Sequence, residues 1–158
     1  MINSEQAAAG TEVPQPSTEA GARHWITQHA PAERAAGRGL DLAVTEFLTQ
    51  RLVGIVRLTR TDGRSRGTEL SYIVAPGARG EGYASEAALA TARWLFGDQR
   101  FERIELPTAA DHTDPQQDAQ NLGCISEGVL RNACIVPVRT EVGGWADLRT
   151  DFIVWSLL

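Results

Sequence analysis

Lysine is missing from this 158-residue chain; all fifteen of its cationic side chains are arginine. A phosphate-binding P-loop requires Gly-Lys-Ser/Thr, so that nucleotide site is excluded. With the alanine and glycine content, the bias reads as GC-rich coding and points to a bacterial source. Cysteine is scarce as well. Cys124 and Cys134 lie ten residues apart in one extended stretch, about 33 Å if straight, far beyond disulfide reach. No second pair or histidine cluster accompanies them, so no zinc site is expected and both read as structural thiols. No run of about 18 apolar residues exists, which excludes a membrane-spanning helix. Met1 to Pro16 has neither a basic start nor an apolar stretch, so it is no secretory signal, and the cytoplasm is the expected compartment. An excess of positive charge is also absent. The formal net charge of −5 argues against nucleic acid as a partner and is compatible with a cationic amine.

What remains is an ordinary globular composition, 42% apolar and 22% charged, without internal repeats. The length suits one domain, or one domain with a tail. Residues 1–16 are small and polar, with Pro14 and Pro16 at their end, and read as a flexible lead-in to a domain over 17–158.

The pattern predicts a helix over Thr18–Ala36, with Ala22, Trp25, Ile26 and His29 on one face and Pro31 breaking or restarting it. Leu40–Phe47 and Leu52–Thr59 alternate as strands and form an antiparallel hairpin. Glu69–Val74 is a strand stopped by Pro76 and Gly77. Ala84–Phe96 turns helical, with Ala84, Ala88, Ala92 and Leu95 in one stripe. A strand at Arg103–Leu106, a helix from Pro115 to Leu122, and strands over Ile125–Val138 and Arg149–Leu157 follow. Glu69–Val74 and Arg103–Leu106, joined by a helical crossover, should be parallel neighbours in a mixed α/β sheet.

The chemistry concentrates in Arg79-Gly-Glu-Gly82-Tyr-Ala84, a glycine-rich turn between a strand and a helix. Such a turn offers backbone N–H groups at the positive end of the helix dipole, a ready anion site. Gly80 and Gly82 admit close approach of a phosphate, Ala84 leaves room on the first turn, and Arg79 can add a charge-assisted contact. The dinucleotide fingerprint Gly-x-Gly-x-x-Gly is not met, since Gly82 is followed by Tyr83, Ala84 and Ser85.

This loop resembles the acetyl-CoA pyrophosphate loop of the GNAT N-acetyltransferases, Gln/Arg-x-x-Gly-x-Gly/Ala. Further segments resemble the RimJ/RimL-like, ribosomal-protein N-acetyltransferase branch: Leu52-Val-Gly54, Glu69-Leu-Ser-Tyr-Ile-Val74, Ser85-Glu-Ala87, Asn121-Leu-Gly123, Glu127-Gly-Val-Leu-Arg131 and the closing Val154-Trp-Ser-Leu157. They occur in family order from about Val13 to the end. The resemblance implies a GNAT fold, a splayed mixed sheet flanked by helices, with the family's usual first strand and helix before Pro14 lacking. It implies acetyl-CoA as co-substrate and direct attack by an amine, without a covalent enzyme intermediate or a metal. Backbone groups of Tyr72, Ile73 and Val74 would hold the pantetheine arm. N–H groups of Arg79, Gly80, Glu81, Gly82, Tyr83 and Ala84 would hold the pyrophosphate.

The acceptor is expected to be a peptide N-terminus or a small-molecule amine such as an antibiotic. The alternative is a degenerate domain that binds acyl-CoA as a sensor or partner module. The family's asparagine facing the pantetheine falls on His112, its serine three residues later on Pro115, and the tyrosine of other branches on Ala119; Cys124 replaces a phenylalanine. Glu69, where several relatives carry a catalytic glutamate, is the candidate base. Three roles stay open for His112: proton donor to the leaving thiolate, hydrogen-bonding partner of the cofactor, or loop residue without a role. His24 and His29 lack carboxylates at metal spacing, so no metal ligand is expected. The shortened start leaves apolar surface, from which a homodimer is expected.

Overall fold

The computed structural model describes residues 18–158. The lead-in and the expected shortening before Pro14 lie outside the described residues.

The chain enters a helical stretch at Thr18, whose side chain accepts the Gly21 N–H at 3.0 Å and caps helix α1 (Glu19–His24). The α-helix restarts at Pro31, as its position predicts. A π turn over Trp25–His29 intervenes, in which the Ala30 N–H reaches back five residues to the Trp25 carbonyl, and α2 (Ala30–Ala35) continues from there. The wider turn sets Pro31 into the first turn of α2, where its missing N–H breaks nothing. The expected apolar face is also narrower than its spacing suggests. Ala22 and Trp25 are half-buried, but Ile26 is 69% exposed. Gly37, at φ +67°, ends the segment.

The strands follow in the expected order: β1 (Leu40–Thr45), β2 (Leu52–Asp62) and β3 (Gly67–Val74). A single 3₁₀ turn, Pro76–Ala78, leads to α3 (Tyr83–Gly97). Then come β4 (Arg103–Ala109), α4 (Thr113–Asn121), β5 (Ile125–Arg139) and β6 (Trp145–Leu157). Among the described residues the six strands form one sheet in the order β1-β2-β3-β4-β6-β5. The β1–β2 pair is the expected antiparallel hairpin, and β3 and β4 are parallel neighbours. α4 begins two residues before Pro115, with His112 at its N-cap, and β6 begins before Arg149.

β4 runs through Pro107 instead of stopping at Leu106. Its pairing with β3 has already ended at Glu105, so at Pro107 the strand has a ladder neighbour only on the β6 side. Proline is tolerated in a strand at such an edge-like position, where a missing N–H costs no bond.

Strand alternation gives the sheet one continuous apolar face, while the opposite face is mixed, with Val53 and Ile73 also buried. Val56, Leu58, Leu70, Ile104, Leu106 and Trp155 bury on the apolar face against Ala88, Ala92 and Leu95 of α3 and Ala119 of α4. Burying a side chain such as Leu70 or Leu95 stabilises the fold by about 1.5–3 kcal/mol. The alanines let α3 lie close to the strands. Trp155 satisfies its indole N–H on Thr108 Oγ1 at 3.0 Å, so the polar handle of the largest core side chain is not left unpaired. The other face carries Asp41, Arg57, Glu69, Glu105 and Ser156. There Trp25 donates to Asp41 at 2.9 Å and lies under the Arg57 guanidinium, 4.4 Å from the ring centroid. This anchors the helical stretch at the β1–β2 edge.

Candidate active site

The site begins where a ladder stops. Parallel pairing joins Gly67 to Arg103, Thr68 to Ile104 and Glu69 to Glu105, and goes no further. Beyond that rung β3 stays with β2, from Leu70 opposite Leu58 to Val74 opposite Gly54. β4 stays with β6, from Leu106 opposite Trp155 to Ala109 opposite Phe152. The two halves of the sheet therefore part. A cleft of about 660 Å³ opens between them, with Leu70–Val74 on one wall, Leu106–Ala109 on the other and the starts of α3 and α4 behind. On its inner side β3 presents backbone N–H and C=O groups without a strand partner, which an extended amide chain can complete.

The glycine turn stands at the mouth. Arg79, Gly80, Gly82, Tyr83 and Ala84 all line the cleft, while Glu81 is exposed and lies outside its lining. Gly80 and Gly82 adopt φ of +79° and +83°, left-handed values that glycine takes without strain. A Cβ on either would meet nothing within 4 Å, so the backbone there faces open space. Gly82 is also the N-cap of α3, and no side chain caps the helix. The first-turn N–H groups have no intrahelical acceptor and point at that space. Residues and geometry fit a pyrophosphate. Tyr83 braces the turn from outside. Its hydroxyl donates to Glu46 Oε1 at 3.1 Å in the β1–β2 turn, which pushes the phenol up, while the Thr49 and Tyr83 hydroxyls hold the Glu46 carboxyl below the usual glutamate value.

Tyr72, Ile73 and Val74 line the β3 wall, and His112 faces them from the start of α4. The His112 backbone N–H donates to the Ala109 carbonyl at 3.1 Å, which fixes the corner between β4 and α4. Glu69 is placed differently. It is not among the lining residues, but it belongs to the last rung, at the apex where the strands part. Its carboxylate accepts from Arg60 at 2.6 Å, with 17% of the Glu69 side chain exposed and 73% of the Arg60 side chain. The structure thus gathers the loop, the β3 wall and His112 around one cleft and puts Glu69 at its edge.

Sequence reasoning missed one participant. Asp118 on α4 accepts the Tyr72 hydroxyl at 2.6 Å and the Ser85 hydroxyl at 3.0 Å, inside the cleft. Burial, and then the Asp118 contact, push the Tyr72 phenol well above its ordinary value. The one signal available was a polar face at Asp114 and Asp118, one helical turn apart, on a helix otherwise poor in apolar residues.

The sequence profile of the acetyltransferase (GNAT) domain family matches residues 2–125. The chain belongs to the GNAT acetyltransferase family. Domains of this family use acetyl-CoA, and its members are acetyltransferases. The fold agrees with solved structures. One crystal structure of a protein assigned as an acetyltransferase superposes with a TM-score of 0.76 at 20% identity, over 90% of this chain and 75% of that one. A Vibrio cholerae protein assigned as a ribosomal-protein-serine acetyltransferase gives 0.73 at 22% identity, covering 89% and 75%. The dodecameric spermidine N-acetyltransferase of Vibrio cholerae gives 0.71 at 18% identity, covering 84% and 72%. No curated protein sequence matches the chain significantly. Among the described residues of this GNAT domain, no group of three or more His, Cys, Asp or Glu side chains is placed to hold a metal ion. No helix among them is long and apolar enough to cross a membrane.

Proposed function

We propose that this GNAT domain transfers an acetyl group from acetyl-CoA to a primary amine by direct attack, the acceptor being a peptide N-terminus or a small-molecule amine such as an antibiotic. The observation that carries this reading is the parting of β3 and β4 with the Arg79–Ala84 turn at its mouth. Acetyl-CoA supplies an activated thioester. Backbone groups of Tyr72, Ile73 and Val74 hold its arm, and N–H groups of the turn, aided by Arg79, hold its pyrophosphate. Glu69, at the apex, takes the proton that the amine must lose, directly or through a water. His112 stands across the cleft as a hydrogen-bond donor to the cofactor.

Spermidine and ribosomal-protein acetyltransferases among the structural relatives put polyamines and N-terminal peptides on the same acceptor panel. The test is that panel with acetyl-CoA, read as release of free thiol: a saturable rate with at least one amine is expected. Binding of acetyl-CoA without turnover on any amine supports the second reading, a domain that binds acyl-CoA as a sensor. One observation favours it. Ala119 is fully buried and Pro115 has no side-chain donor, so neither position that carries a proton donor in relatives can supply one here.

A homodimer forms part of the proposal. β5 is an edge strand, and Ile125, Val129, Leu130 and Ile135 along it are each about half exposed or more. An apolar edge of this length invites pairing. Light scattering at micromolar concentration should give twice the chain mass, and the monomer mass would end this part of the proposal. The cytoplasm is the proposed compartment, and neither nucleic acid nor a membrane is a proposed partner.

A further inference from the structure

The cleft's two walls are tied to each other at one point beyond the end of the ladder. Asp118 accepts the Tyr72 hydroxyl on Oδ2 and the Ser85 hydroxyl on Oδ1, one hydrogen bond per carboxylate oxygen. Tyr72 belongs to β3 and Ser85 to α3, on one half of the split sheet. Asp118 belongs to α4, which follows β4 on the other half. The contact spans the opening where backbone pairing has ceased.

A hydroxyl has one proton and two lone pairs. With both protons committed to Asp118, Tyr72 and Ser85 have only lone pairs left to offer. The carboxylate thus converts two groups that could donate or accept into fixed acceptors lining the cleft. The raised Tyr72 phenol keeps its proton throughout the neutral range, so this polarity does not reverse there. A pantetheine arm carries two amide N–H groups, and leaving such a donor buried without an acceptor is costly.

We propose that Asp118 is a positioning residue for the acyl carrier: it orients the Tyr72 and Ser85 hydroxyls as acceptors for pantetheine N–H groups and clasps the two halves of the sheet around the arm. The inference rests on the acetyl-CoA reading above and adds the side chains that read the arm.

Calorimetric titration of the full chain tests it with two probes, CoA and adenosine 3′-phosphate 5′-diphosphate, the nucleotide half without the arm. Asp118→Asn puts an N–H donor where an acceptor stood, so one hydroxyl must turn its proton toward the cleft. CoA affinity should fall about threefold to tenfold, the share of one hydrogen bond, while the nucleotide half binds as before. Tyr72→Phe should lower CoA affinity by a similar factor. Because the two residues act through one contact, the double variant should lose less than the product of the single losses. Tyr72→Phe carries the same two-probe comparison alone if Asp118→Asn does not fold. Equal weakening of both probes would make Asp118 a strut of the fold, and unchanged CoA binding would remove its role; either overturns the inference. A wild-type protein that binds neither probe would instead overturn the acetyl-CoA reading.

Discussion

Glu69 stands directly opposite Glu105 in the last rung that joins β3 to β4; Glu69 pairs with Arg60 at 2.6 Å and Glu105 with Arg103 at 2.8 Å, an arginine it shares with Glu127. Strand alternation turns both away from the buried Leu70 and Leu106, toward the opposite face. A carboxylate there borders the apex of the cleft without competing for the room inside it. Glu69→Gln should lower turnover about 10²–10⁴-fold if Glu69 is the base, with acetyl-CoA affinity nearly unchanged. The loss should shrink as pH approaches the acceptor's own pKa, where free amine is abundant. An undiminished rate at neutral pH would leave Glu69 as the partner of Arg60 and nothing more.

Gly82 combines a left-handed backbone with open space on the side the turn presents. Valine there is strained by its backbone angles and fills that space with two methyl groups. For the wild type, acetyl-CoA at about 100 times its dissociation constant should add roughly 2.7 kcal/mol of stability. Gly82→Val should lose most of this increment. Equal thermal shifts in the two proteins would remove the turn from the binding site.

His112 lies within the cleft lining, at the corner that its backbone closes on Ala109. Acting as a neutral donor, it can be replaced by asparagine with affinity kept within a few-fold, whereas His112→Ala should cost roughly 0.5–1.5 kcal/mol of acetyl-CoA binding. Acting as the acid, both variants should bind well yet lose turnover and the descending limb of the pH–rate profile. Wild-type affinity and rate in His112→Ala would leave a corner residue.

Glu127 supplies a pH dependence that does not involve the cleft. The Arg103 guanidinium, and after it the Ser156 hydroxyl, hold its carboxyl down at about 2. An unfolded chain protonates glutamate near pH 4.3, so Glu127 contributes its full stability above about pH 5 and loses it as pH falls toward 2. Urea midpoints for wild type and Glu127→Gln should differ most at pH 6, and the gap should shrink steadily below pH 5 to about a quarter of its size near pH 2.5. A constant gap across that range would rule out the pairing as its source.

The fold was legible wherever local pattern and ladder agree. The β1–β2 hairpin, the stripe of Ala88, Ala92 and Leu95, and the parallel neighbours all follow from periods of two and 3.6 residues. One strand end was misplaced, because how far β4 runs depends on neighbours that the sequence does not show. β4 continues through Pro107 at an edge left where β3 has turned away, whereas the helix restarts at Pro31, one of the two outcomes its position predicts. The geometry of the glycine turn was legible because left-handed backbone at Gly80 and Gly82 is written directly as glycine. Asp118 was not, because its two partners lie 46 and 33 residues away and meet it only through the crossover.

The short parallel ladder leaves the two halves of the sheet joined over only three residue pairs. Were these three rungs to flex, the strand from Glu69 to Val74, with β2 paired to it, would be a lever roughly 17 Å long. A rotation of about 5° there would displace the mouth of the cleft by roughly 1.5 Å. Thr68 sits in the middle rung, buried and bonded to Thr61 at 2.9 Å. Packing around Thr68 therefore bears on the spacing between the glycine turn and the opposite wall of the cleft.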